Sequence, residues 1–165
     1  MLRWQDLPVS STAAPETTMF RRIVVVLGDG SYADQLGAAA ISLAAGADAE
    51  VVFVQVGECS ACCGPPDHLA LREHERDLLS VLLEKLSARG IRARGEQRVT
   101  VTRRVSRHIL DAVEESSGDL LIIAAGQSGR FRSLSHRRLI ARLLREAPCP
   151  VYVVPVAPET RKRMA

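Results

Sequence analysis

No part of this 165-residue chain approaches the ~20 consecutive apolar residues that a helix needs to cross a bilayer. The first residues also lack a basic segment followed by an apolar one, so no secretory signal is read and the cytoplasm is the expected compartment. Strong charge is missing as well: a net +3 gives no ground for nucleic acid as a partner. The signatures of common catalysts are absent. There is no Gly-x-Ser-x-Gly elbow, no His-Glu-x-x-His pair, no Walker Lys-Ser/Thr and no His/Ser/Asp set at interpretable spacing. Catalysis is therefore not expected. Four cysteines in a cytoplasmic chain are read as thiols, or occasionally metal ligands, rather than as a disulfide framework.

What is present is ordinary for a globular protein: 47% hydrophobic and 25% charged residues, in a length that suits one domain with a substantial core. Residues 1–19 carry Pro8, Pro15 and a Ser/Thr/Ala cluster without periodicity, and read as a mobile tail; translation from Met1 or from Met19 is left open. Residues 23–27 form a short apolar run typical of a buried strand. Gly28-Asp29-Gly30-Ser31 turns out of it, with Asp29 or Ser31 as helix cap, into a helix over 32–45 that ends at Gly46. A second buried strand spans 51–56. A loop over 57–66 holds Cys59, Cys62 and Cys63, and a long amphipathic helix follows over 67–88. Its apolar stripe is Leu71, Leu78, Leu82 and Leu86, with Gly90 at its end. Residues 91–101 read as a polar edge strand broken by Gly95, guarded by Arg92, Arg94, Glu96 and Arg98. Val105, Ile109, Ala112 and Val113 mark a third helix that ends near Gly118.

The chain is organised around residues 119–154. A buried run at 120–125 breaks at Gly126-Gln127-Ser128-Gly129, and a basic helix with Leu139, Ile140, Leu143 and Leu144 follows. Pro148-Cys149-Pro150 then leads into the strand Val151-Tyr152-Val153-Val154. Strands alternating with helices throughout predict an α/β fold, a doubly wound five-stranded parallel sheet with four helices, Rossmann-like in construction. The Gly-x-x-Gly loop leaves the carboxyl end of a buried strand, where open α/β sheets bind ligands. Residues 157–165, with Arg161-Lys162-Arg163, read as a basic tail behind a domain over 20–156.

Several features admit two readings. Asp29 is a turn or capping residue, or a ligand contact. Arg130, Arg132, Arg137, Arg138, Arg142 and Arg145 lie close together without an acid among them, and form either a solvated helix face or an anion site. Ser133 and Ser135 are helix caps or added donors to that site. Cys59, Cys62 and Cys63, with His68 and His74, are inert loop residues, a redox thiol pair or a zinc site without the usual second Cys/His pair. Cys149 reads as a small buried hydrophobe, and His108 and His136 as helix-surface residues.

The segments Ile23-Val-Val-Val-Leu-Gly-Asp29-Gly30-Ser31, Gly126-Gln-Ser-Gly129 and Ala147-Pro-Cys-Pro-Val-Tyr-Val-Val154 resemble the universal stress protein (UspA) family, over residues 20–155. The resemblance implies strand order 3-2-1-4-5, a homodimer through the last strand (Val151, Tyr152, Val153 and Val154) and membership in an ATP-binding or a non-binding branch. The binding branch carries Gly-x2-Gly-x9-Gly-Ser/Thr, whose glycines let backbone amides reach phosphates. Carried over by position, the nucleotide roles fall on Asp29, Val56, Ala125, Gly126 and Gly129. The closing Gly-Ser falls on Arg137-Arg138, with only seven residues between Gly129 and Arg137. His-x-Gly-His and Ser-Gly-Gly-x-Asp loops of adenylyl-transferring relatives are absent. The expectation is a non-enzymatic regulatory or interaction module for an unidentified protein partner, with weak or no ATP binding. The alternatives are an ATP- or AMP-type sensor that holds phosphates with Arg137 and Arg138, and a thiol or metal switch at Cys59, Cys62 and Cys63.

Overall fold

Apolar runs such as Ile-Val-Val-Val-Leu present side chains to both faces of a strand, so they persist only where both faces are covered. The computed structural model describes residues 20–28, 32–59, 73–101, 104–125 and 134–155, and places every such run in one sheet. The elements are β1 (Arg22–Leu27), α1 (Ala33–Ala44), β2 (Glu50–Cys59), α2 (Glu73–Ser87), β3 (Arg92–Val101), α3 (Val105–Glu115), β4 (Leu120–Ala125), α4 (Leu134–Glu146) and β5 (Val151–Pro155). All neighbours are parallel, in the order β3-β2-β1-β4-β5. The tails 1–19 and 157–165 lie outside the described residues.

Each face of the sheet has its own core. Ile23, Val25, Val51 and Phe53 point to one side, where Leu36 and Ala40 of α1 and Leu79, Leu82 and Leu86 of α2 cover them. Val24, Val52, Val54 and Leu121 point to the other, against Val105, Ile109, Ala112 and Val113 of α3 and Leu143 of α4. Each fully buried aliphatic side chain contributes about 1.5–3 kcal/mol, so these two layers dominate the stability. Gly46 and Gly90 take positive φ just past α1 and α2, and behind α2 Ile91 N–H donates back to the Leu86 carbonyl at 3.0 Å.

Four details differ from the sequence-based expectation. In α2 the buried stripe is Leu79, Leu82 and Leu86, while Leu78 is half-buried. The cause is Gly95: a Cβ there would sit 2.7 Å from Leu79 Cδ2, so the missing side chain is the notch that Leu79 fills. Gly95 accordingly does not break β3, which pairs with β2 straight through the Phe53↔Gly95 register. The second strand runs on beyond Val56 to Cys59, which pairs with Val101, so Cys59 belongs to a strand and not to a loop. In α4, Leu143 is buried but Leu144 is 55% exposed, since it lies one step (about 100°) around the helix from the stripe of Leu139, Ile140 and Leu143.

Candidate functional site

The strand order reverses direction between β1 and β4, and there the sheet opens. The β1–β2 ladder continues to Leu27↔Gln55. The β1–β4 ladder stops at Val25↔Ile122. Past that point β1 keeps one neighbour and parts from the other, which creates the crevice outside the carboxyl ends that parallel sheets offer to ligands.

Among the candidate residues, Val56 and Ala125 flank this opening. Val56 is 6% exposed and is the first β2 residue beyond the ladder with β1. Ala125 is exposed at the end of β4, beside Pro155 of β5. Gly28, which follows β1, is half-buried between them in the strand order. Asp29, Gly126, Gly129 and Ser133 lie outside the described residues, as do Cys62, Cys63 and His68. Arg137 and Arg138 are the fourth and fifth residues of α4, both exposed, and neither forms an ion pair with another described residue. The described residues contain no group of three or more His, Cys, Asp or Glu able to hold a metal.

Sequence reasoning missed Gln55. Its side chain is only 1% exposed, midway along β2 where the ladder with β1 ends at Leu27, and its Oε1 has no hydrogen-bond partner among the described residues. A buried acceptor of this kind costs about 1–3 kcal/mol while unpaired. Only alternation along an otherwise apolar strand marks it, and a lone polar residue in such a run is easily passed over.

The opposite, amino-terminal end of the sheet is tied by charge. The Asp119 carboxylate accepts the Arg21 and Arg22 backbone N–H groups at 2.7 and 2.9 Å, and so fixes the start of β4 to the start of β1. Across β1, β2 and β3 runs a chain of ion pairs: Arg22 to Glu50 (3.0 Å), Glu50 to Arg94 (3.1 Å), Arg94 to Glu96, Glu96 to Arg98 (3.0 Å) and Arg98 to Glu115 of α3 (2.6 Å). Hydrogen bonding from Arg98 holds the Glu115 carboxyl below its ordinary value, and Glu115 in turn raises the Arg98 guanidinium. Cys149 is half-buried against the second core. Burial, with the Asp119 charge second, pushes its thiol up, which favours the unreactive protonated form.

Among the described residues no helix is long and apolar enough to cross a membrane. Comparison with curated proteins finds no match. Solved structures do match. The chain is 28% identical to a universal stress family protein from Burkholderia pseudomallei, over 84% of this chain and 98% of that one, with a TM-score of 0.62. It shares the fold of UspA from Lactobacillus plantarum at 19% identity, over 81% and 97% of the two chains, with a TM-score of 0.64. It also shares the fold of a universal stress protein solved in complex with cAMP, at 15% identity over 84% and 98%, with a TM-score of 0.61. The model of the universal stress protein family matches residues 19–155, and with the 3-2-1-4-5 sheet this places the chain as a member of that family.

Proposed function

We propose that the chain is a non-enzymatic regulatory module that acts through protein contacts, with little or no hold on ATP. The observation that carries this reading is the placement of Arg137 and Arg138 within α4. The helix begins at Leu134, so positions 137 and 138 fall after the first turn, whose amides alone are free to face a phosphate. At the same positions the ATP-binding branch has Gly-Ser, where backbone meets phosphate. Here two long side chains occupy that place. The module is cytoplasmic and dimeric in this reading, and its partner is another protein.

A nucleotide sensor is the second reading, favoured by one specific observation. The guanidinium groups of Arg137 and Arg138 are exposed and without an ion pair among the described residues, and guanidinium groups bind phosphate directly. A family member of the same fold has been solved with cAMP. Calorimetric titration of the purified protein with ATP, AMP and cAMP separates the two readings, together with mass spectrometry of any ligand released on denaturation. The regulatory reading expects no co-purified nucleotide and no saturable heat with ATP. Saturable binding that is lost in Asp29→Ala and in Arg137→Ala would overturn it in favour of the sensor.

A further inference from the structure

Ion pairs neutralise many of the described surface charges, and the described charges left over on α2 and on α4 differ in sign. On α2, Lys85 is paired with Asp34 of α1, while Asp77 and Glu84 stand exposed without an ion pair among the described residues. On α4, Arg142 is paired with Glu146, while Arg137, Arg138 and Arg145 stand exposed in the same way. Within these two helices the surplus is therefore acidic on α2 and basic on α4. The helices cover opposite faces of the sheet, α2 in the core with α1 and α4 in the core with α3.

An exposed apolar side chain accompanies each set of unpaired charges. Val81 is 43% exposed, with Asp77 four residues before it and Glu84 three after, so all three share one helix face. Leu144 is 55% exposed, with Ala141 three residues before it and Arg137 four before that, and Arg138 and Arg145 on the adjoining stripe. Lys85, four residues after Val81, is neutralised by Asp34, so the unpaired charges flanking Val81 are acidic while those near Leu144 are basic. An apolar residue flanked by one charge suits a helix of the opposite charge with its own exposed apolar residue. Ala141 is small enough to leave room for Val81. Phosphates of a nucleic acid would match the arginines but leave Leu144 without a partner.

We propose that α4 of one copy docks on α2 of a second copy of this chain. Leu144 meets Val81 at the centre, and Arg137, Arg138 and Arg145 face Asp77 and Glu84. The two surfaces lie on opposite faces of one molecule, so the contact is head-to-tail and each copy keeps one of each surface free. It is independent of the last strand. Its strength depends on salt, because the charges are exposed and screened within about 10 Å at 0.1 M ionic strength.

Sedimentation velocity on the full chain tests this, at low and at high salt. Wild-type protein is expected to form species larger than a dimer at low salt and to lose them at high salt. Arg145→Glu and Glu84→Arg each abolish those species, and mixing the two variants restores them, because each supplies the charge that the other now needs. Leu144→Ser weakens assembly without a change of charge. All three sites are exposed, and circular dichroism verifies that the variants are folded. Single reversals that assemble like wild type would overturn the proposal, as would a wild type that never exceeds a dimer at low salt. It would also fall if Arg145→Glu abolished binding of a short DNA duplex while assembly was unchanged.

Discussion

Gln55 is the described residue least at ease with its surroundings. Its side chain is buried beside Leu27 of β1 and in register with Gln97 of β3, and its carbonyl has no donor among the described residues. Methionine has nearly the same length and no acceptor to satisfy. Gln55→Met is therefore expected to stabilise the fold by about 1 kcal/mol, the lower end of the cost of an unmet buried acceptor. Urea denaturation reads this directly, and a loss of stability would mean that the carbonyl is bonded in solution. Gly118 makes a second residue-scale case. A Cβ there would lie 2.6 Å from Val24 Cγ2, on a fully buried valine of β1 that has no slack. Gly118→Ala should cost about 1–3 kcal/mol through overpacking, visible as a lower melting temperature. The left-handed position that ends α3 is taken instead by Ser117, at φ 52°, so Gly118 is there for space and not for its backbone.

At the scale of elements, α3 and β3 are joined by the Arg98–Glu115 pair, at the end of a ladder of charges that also protects the edge of the sheet. Glu115 titrates below its ordinary value when folded, so its contribution is complete above the unfolded carboxylate pKa, about 4.3. It is lost as the pH falls through the lowered folded value. Arg98 stays charged throughout this range. Glu115→Gln removes the carboxylate at every pH. The gap between wild type and Glu115→Gln in the urea midpoint is therefore expected to be present at pH 7 and to narrow as the pH falls below the unfolded carboxylate value of about 4.3. A gap that persists in acid would show that the side chain acts through packing and not through its charge.

For the whole molecule, the two edges of the sheet are unlike. β3 is covered by Arg92 with Asp48 and by the ladder of Arg94, Glu96 and Arg98. β5 carries no charge in Val151–Pro155, and Tyr152 is 45% exposed. Val154 is 8% exposed and belongs to the chain's own core, so at a dimer contact it offers only its backbone, and Tyr152 and Val153 form the centre. An apolar edge strand without charges is an open template for pairing. The expected assembly is a two-fold dimer in which β5 meets its copy antiparallel. Val153→Lys places like charges across the axis, and sedimentation equilibrium at high salt, where a contact between exposed helix charges is screened, should then find a monomer. A mutant still dimeric at micromolar concentration would put the interface on other surfaces.

The order of elements was legible from the sequence alone. β1, β2, β4 and β5 are built on short runs of β-branched and aliphatic residues, and local periodicity reports which residues meet the core. The α3 stripe of Val105, Ile109, Ala112 and Val113 is buried as its spacing predicts. The strand order came from likeness of motifs and is the order found. What tertiary structure decided are matters between elements. Leu79 replaces Leu78 in the core because of a glycine one strand away. β2 reaches Cys59 because β3 offers partners up to Val101. The ladder between β1 and β4 ends at Val25, which opens the crevice beyond the end of β1. Such features depend on what stands across a sheet or under a helix, at separations that no local pattern encodes. Periodicity tells a residue which way to face, and only the packed neighbours determine what it meets there.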